Sequence, residues 1–198
     1  MKFHILAAAA ALVLSAAAHA SSPVFSDDFS GDTQQLDAVP TGWAITSGTD
    51  DVDIIGAGGA WDFFGGTGNN YIDLDGSNGL SPAGTLSTSF AVTAGDTYTA
   101  TFQLAGSQRG NSNSVTVMLG DASFTSPVLA SGDGWETFSV TTKATGDMLT
   151  LSFTDSQAGN VGALLDNVSV SAVPEPGSLS LMLAGFAALG VVARRRRG

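Results

Sequence analysis

The chain has 198 residues, no cysteine, two histidines, 25 glycines and a formal net charge of −11, with 43% of its residues hydrophobic. Both histidines, His4 and His19, fall within residues 1–20, so the rest of the chain can build neither a conventional zinc site, a Ser-His-Asp triad, a thiol nucleophile nor a disulfide. What stays open is carboxylate chemistry of the glycosidase kind, or no catalysis at all.

The first twenty residues are organised as an export signal. Lys2 supplies one positive charge, residues 5–14 form an apolar run, and Ala18-His19-Ala20 supplies the small residues of an A-x-A cleavage site; the pattern predicts a signal helix cut after Ala20. A first transmembrane helix is the alternative, but 5–18 is short for a span and no stop-transfer charges follow it.

Residues 21–172 are expected to form one domain, long enough to bury a core without staples. They carry two cations, Arg109 and Lys143, against seventeen carboxylates, a net charge of −15. Two cations cannot offset a phosphate backbone, so nucleic acid is not expected as a partner, whereas hard divalent cations suit the abundant oxygen ligands. Residues 97–104 alternate strictly, with Tyr98, Ala100, Phe102 and Leu104 on one face and Thr97, Thr99, Thr101 and Gln103 on the other. Residues 114–119 repeat the pattern through Val115, Val117 and Leu119. Further strands are predicted at 23–29, 42–46, 52–55, 71–74, 84–92, 135–142, 148–154, 163–165 and 167–171, separated by turn residues such as Asp75-Gly76, Gly95-Asp96 and Gly146-Asp147. Short strands at this spacing, with no amphipathic helix, predict an all-β, antiparallel β-sandwich of the jelly-roll kind.

Three acidic or aromatic stretches invite chemistry. Asp50, Asp51 and Asp53 cluster, and alternation puts Asp51 and Asp53 on one face, the arrangement a glycosidase pair would need; the plainer expectation is solvated carboxylates. The segment from Asp73 to Gly79 opens like a calcium loop, yet Asn78 stands where glycine is needed and Gly84 where glutamate is needed, so it is expected to be a strand whose outward Asp residues precede a turn. Trp61 lies in the glycine-rich stretch 56–70. Sugars present C–H faces to aromatic rings and hydroxyls to amides and carboxylates, which makes Trp61 the candidate stacking residue and Asp62, Asn70 and Gln103 candidate polar contacts. The alternative is that Trp61, Phe63 and Phe64 fold back as a lid over one end of the sandwich. Trp43 and Trp135, in strand contexts, are expected in or at the edge of the core.

The chain closes, over 173–198, on Pro174-Glu175-Pro176, an uncharged stretch at 178–193 and the cluster Arg194, Arg195, Arg196 and Arg197. Sixteen helical residues span about 24 Å, slightly short of the ~30 Å hydrocarbon core. Arginines whose stems run along the bilayer close the shortfall and set a cytoplasmic end. The two prolines hold the tripeptide extended. The ordered set of tripeptide, span and arginine cluster resembles the PEP-CTERM sorting signal of Gram-negative bacteria that make exopolysaccharide. The resemblance implies export across the inner membrane, a single C-terminal transmembrane helix as a membrane anchor in the precursor, and recognition of Pro174, Glu175 and Pro176 by an exosortase-type enzyme. It also implies delivery to the cell surface or extracellular matrix. A plain tail anchor is the alternative.

The domain itself carries a second resemblance. Asp27-Asp28-Phe29-Ser30, the run from Tyr71 to Asp75, the run from Trp135 to Val140 and the closing Gly162-Ala163-Leu164-Leu165-Asp166-Asn167-Val168-Ser169-Val170 look like the galactose-binding-like jelly rolls that serve as carbohydrate-binding modules. That family implies a non-catalytic domain that binds extracellular polysaccharide, and a structural calcium tying the first strand to the last through Asp28 and Asp166. The plainer expectation is that Asp166 caps a turn between two strands and Asp28 is a solvated edge charge. A structural or adhesive matrix protein without a ligand pocket is the second function class, and a carboxylate glycosidase a distant third.

Overall fold

The computed structural model describes residues 22–174, apart from 49, 50, 57, 66, 67, 80–82 and 158, together with Gly185. The expected signal helix, Glu175 and Pro176, the arginine cluster and, Gly185 aside, the apolar stretch 178–193 lie outside the described residues. No helix among the described residues is long and apolar enough to cross a membrane. Contacts divide the chain into one unit of Met1–Ala20 with Pro174–Gly198 and another of Ser21–Val173.

Among the described residues the second unit holds twelve strands: β1 Phe25–Asp27, β2 Gln35–Ala38, β3 Ala44–Ile45, β4 Val52–Gly56, β5 Asn70–Asp73, β6 Thr85–Ala91, β7 Thr97–Ala105, β8 Val115–Leu119, β9 Ala122–Thr125, β10 Glu136–Lys143, β11 Met148–Asp155 and β12 Leu164–Ala172. Their pairings are all antiparallel. One sheet runs β10-β7-β12-β5-β4-β2, with β1 also paired to β12; the other runs β3-β6-β11-β8-β9. The alternation expected of β7 is what buries Tyr98, Ala100, Phe102 and Leu104, and Val115, Val117 and Leu119 do the same for β8. The core closes between the sheets, where Phe102 of β7 meets Phe153 of β11 edge-on at 5.1 Å and Phe153 meets Trp43 at 6.1 Å. Offset and edge-on aromatic pairs of this kind add roughly 0.5–1.5 kcal/mol each beyond area burial.

Three expectations need correction. The tract 163–171 is a single strand and not two: Asn167 takes a positive φ of 51°, and the register slips between Asp166 and Ser169 while both halves stay paired to β7. Asn tolerates this left-handed geometry, so the chain bulges instead of reversing, and Asp166 caps no hairpin. Two strands went unpredicted. β2 has no apolar alternation and three of its four residues are exposed, while β9 is a short partner of β8 across Gly120-Asp121, with Gly120 at φ 56°.

The third correction concerns the acids. Asp73 and Asp75 do not point outward into solvent; they are 0% and 1% exposed, and Asp53, which stands directly opposite Asp73 across β4 and β5, is 2% exposed. Their face of the sheet is itself covered, so each carboxylate turns to protein donors. Asp53 accepts from the amides of Asp37 (2.9 Å) and Ser77 (3.1 Å) and from the Ser77 hydroxyl. Asp73 accepts from the amides of Asp75 and Gly162 and pairs with Arg109. Burial pushes the Asp73 carboxyl up to about 7, against the pull of the Arg109 guanidinium. Asp155, held by Asn113 and the amides of Gln157 and Ala163, is also raised by burial.

Candidate functional site

The glycine-rich stretch between β4 and β5 starts where the backbone can pass only without a side chain. Gly56 has φ 104°, and a Cβ there would stand 2.6 Å from the Tyr71 ring. Asp62 then staples the loop: its carboxylate accepts from the amides of Gly58 (2.9 Å), Gly65 (3.1 Å) and Phe64 (3.2 Å). Tyr71 adds a second staple, its hydroxyl accepting from the Phe63 amide at 2.7 Å and donating to the Trp61 carbonyl at 3.1 Å. Burial raises that phenol to about 12, so it keeps the proton it donates.

These constraints sort the aromatic side chains. Phe63 and Phe64 turn onto a small cluster of Ile55, Tyr71, Ala105 and Leu164, joined by Trp135, with the Phe64 and Trp135 rings 5.0 Å apart. The Arg109 guanidinium lies over the Phe63 ring at 5.7 Å. Trp61 is left 46% exposed. It walls a groove of about 220 Å³ whose other lining residues are Gln34, Gln35 and Leu36 of and beside β2, Ile54 and Ile55 of β4, and Ala60. The expected lid is therefore half right: Phe63 and Phe64 fold back, over the outer face of a sheet and not the sandwich end, and Trp61 does not join them. Trp43 is a core residue at 8% exposure and Trp135 is half-buried.

Of the four residues singled out for a sugar site, the groove contains Trp61. Asp62 is its neighbour, committed to the loop backbone. Asn70 is buried, its amide donating to the carbonyls of Asp32 (2.7 Å) and Phe29 (3.4 Å). Gln103 accepts from Asn167 at 2.9 Å on the β7–β12 side of the sheet. Neither lines the groove. Gln34 and Gln35 were missed because β2 was missed. Replacing Tyr71 with Phe removes one acceptor and one donor from the loop at a cost of about 1–2 kcal/mol; we expect the Phe63 amide to exchange with deuterium at least ten-fold faster while the fold persists.

A second depression, of about 310 Å³, is lined by Ser26, Asp27, Asp28, Asn167, Val168 and Ser169 where β1 pairs with β12. Asp27 is spoken for by the Phe29 amide and the Trp43 indole N–H, each at 2.8 Å. The Ser30 hydroxyl and amide hold the Asp28 carboxyl below its usual range. Asp166, next to Asn167, is pushed up to about 6, chiefly by burial and further by the charges of Asp28 and Asp27. These carboxylates, with nearby hydroxyl and backbone oxygens, are hard donors of the type calcium takes. Among the described residues no three or more His, Cys, Asp or Glu are grouped to hold a metal, so carboxylates alone would not complete such a site.

Comparison with known proteins bears on the chain in two pieces. Residues 26–171 match the model of the family described as Protein of unknown function (DUF642). The chain belongs to the DUF642 family. Residues 172–197 match the PEP-CTERM protein-sorting motif, so this DUF642 domain travels in an exported protein whose precursor is membrane-anchored. No curated protein matches. Among solved structures, the DUF642 domain is similar to the CBM22-1 xylan-binding domain of Paenibacillus barcinonensis Xyn10C, at 14% identity and TM-score 0.53 over 81% of this chain and 100% of that one. It is also similar to the CBM22-1-CBM22-2 tandem domain of the same protein (16%, TM-score 0.51, 81% of this chain and 48% of that one). The third is the Clostridium thermocellum endo-1,4-beta-D-xylanase 10B CBM22-1-GH10 structure with xylohexaose (15%, TM-score 0.50), of which this chain spans 29% while 79% of its own length is covered. At these identities the likeness establishes the fold: the two antiparallel sheets form a sandwich of the carbohydrate-binding-module type.

Proposed function

We propose that this is an exopolysaccharide-matrix or cell-surface protein of a Gram-negative bacterium, sorted by an exosortase-type enzyme that reads Pro174, Glu175 and Pro176, and that its sandwich binds extracellular polysaccharide without catalysis. One observation carries the binding reading: Trp61 is held out of the core by two independent staples, Asp62 and Tyr71, beside a groove lined by Gln34, Gln35, Leu36, Ile54, Ile55 and Ala60. That pairs an aromatic platform for C–H faces with the Gln35 carboxamide, which can donate to and accept from hydroxyls, while the Gln34 amide already donates to the Gly56 carbonyl at 2.5 Å. The fold supports the reading, since a xylan-binding domain of Paenibacillus barcinonensis shares it. Screening residues 21–173 against a glycan array tests it, because a matrix protein without a ligand site binds no glycan on the array. For the glycosidase alternative, Asp53 and Asp73 are the facing carboxylates, but both are buried and bonded and neither lines either depression.

A structural calcium between the first and last strands is part of the same proposal, supported by the mutual repulsion of Asp166, Asp28 and Asp27, which a cation would relieve. Calcium at a hundred times its Kd should stabilise the domain by about 2.7 kcal/mol. We expect calcium to raise Tm in the wild type and to leave it unchanged in Asp166→Asn, which in chelator is no less stable than wild type at pH 7; an equal calcium shift in both proteins argues against the site.

A further inference from the structure

We infer that the Trp61 groove selects uncharged glycan chains and rejects those bearing uronate or sulfate groups, an inference that rests on the groove being the glycan site. Its lining of Gln34, Gln35, Leu36, Ile54, Ile55, Ala60 and Trp61 contains no ionisable side chain. The domain has two cations to lend, and neither serves. Arg109 is paired with buried Asp73 and stacked over Phe63. Lys143 ends β10, the edge of the sheet opposite β2, so five strand spacings of ~4.8 Å, or about 24 Å, separate its strand from β2, which lines the groove. That is several times the ~8 Å screening length at physiological salt.

The charges that do stand close are of the wrong sign for an anion. Asp62 follows Trp61 and Asp37 follows Leu36, within a domain of net charge −15. An anionic sugar entering the groove sheds water from its charged group, and carboxamides can bond that group but not neutralise it. A neutral pyranose makes the same stacking and amide contacts without that cost. The acidic domain is therefore built to sit among polymers that it does not repel, and an acidic polymer would reach it through bridging divalent cations instead of through this groove.

The test uses the full chain in zwitterionic detergent with chelator present, titrated by calorimetry with matched neutral and carboxymethylated forms of glucan, xylan and galactan at low and high salt. We expect the neutral member of at least one pair to bind, and its carboxymethylated form to bind at least ten-fold more weakly. Gln35→Lys should then raise the affinity for the carboxymethylated form relative to the neutral form by at least ten-fold, and an unchanged ratio between the two forms counts against the charge selection. Equal affinity for both forms, abolished in each case by Trp61→Ala, overturns the charge selection and leaves the groove as the binding site. Binding of no polymer, or binding that Trp61→Ala does not weaken, removes the groove reading and the selection with it.

Discussion

Trp61→Ala should lower glycan affinity by roughly ten- to fifty-fold while shifting the stability of the domain by less than about 1 kcal/mol. The two halves of that expectation come from one fact. The indole is nearly half exposed and meets Phe63 in a tilted contact with ring centroids 6.4 Å apart, so the core loses little when it goes. A ligand sugar, by contrast, loses its one aromatic platform in the groove. Central tryptophans of binding sites typically cost 2 kcal/mol or more on truncation, and each 1.4 kcal/mol is ten-fold in Kd. Trp43→Ala is the contrasting control. That ring is wedged among Phe25, Phe29 and Phe153 and donates its N–H to Asp27, so about 3–5 kcal/mol of stability should go with it. Calorimetric titration and thermal melts of the two variants separate the roles.

Arg109→Met should produce a loss of stability that depends on pH. Asp73 is fully buried and already titrates near 7 with Arg109 beside it. Because its folded pKa lies above the ordinary carboxylate value, the folded state binds the proton more tightly than the unfolded state, and this group's contribution becomes less favourable as pH rises from about 4 to about 7. Removing the guanidinium moves the folded value further up and extends the window above 7. At pH 8 the variant must either bury an uncompensated carboxylate or take up a proton against the bulk pH, a penalty of about 3–5 kcal/mol. For a domain of this size that is a Tm roughly 10 °C below wild type. At pH 5 both proteins carry neutral Asp73, and the remaining deficit is the lost cation–π contact with Phe63, about 0.5–1 kcal/mol. A Tm difference that stays constant from pH 5 to 8 would mean that Arg109 stabilises by packing alone.

Much of the sandwich was legible because strands such as β7 and β8 bury mainly one face. In β7 and β8 every second residue is apolar, and period-two alternation has no competing interpretation. The edges were not legible for the same reason. Gln35-Leu36-Asp37-Ala38 is held to β4 by backbone pairing and by the Asp53 carboxylate receiving the Asp37 amide, and neither interaction leaves a hydrophobic pattern. Gly120-Asp121 was a readable hairpin signal for β9, hidden by the brevity of the strand after it.

The site divides similarly. A tryptophan among glycines announces itself, so Trp61 could be picked out, but its partners are set by register. Gln103 sits opposite Asp166 and Thr137 on neighbouring strands, a pairing that no local motif encodes. The buried acids were misjudged because alternation identifies a face and not what covers it. Asp53 and Asp73 do lie on the face away from the main core, as their phase requires. That face is roofed by the glycine-rich loop and clamped by Arg109, and such a roof is a long-range event invisible to a two-residue period.

The proposal that this sandwich holds polysaccharide at Trp61 is tested most directly by the three indole N–H signals in a nitrogen-15 NMR spectrum of residues 21–173, followed while a neutral glycan that the protein binds is added. The Trp61 signal should move progressively with occupancy. The Trp43 signal, whose proton is fixed on Asp27 inside the core, should stay in place. Saturation of binding with the Trp61 indole unmoved would contradict the account.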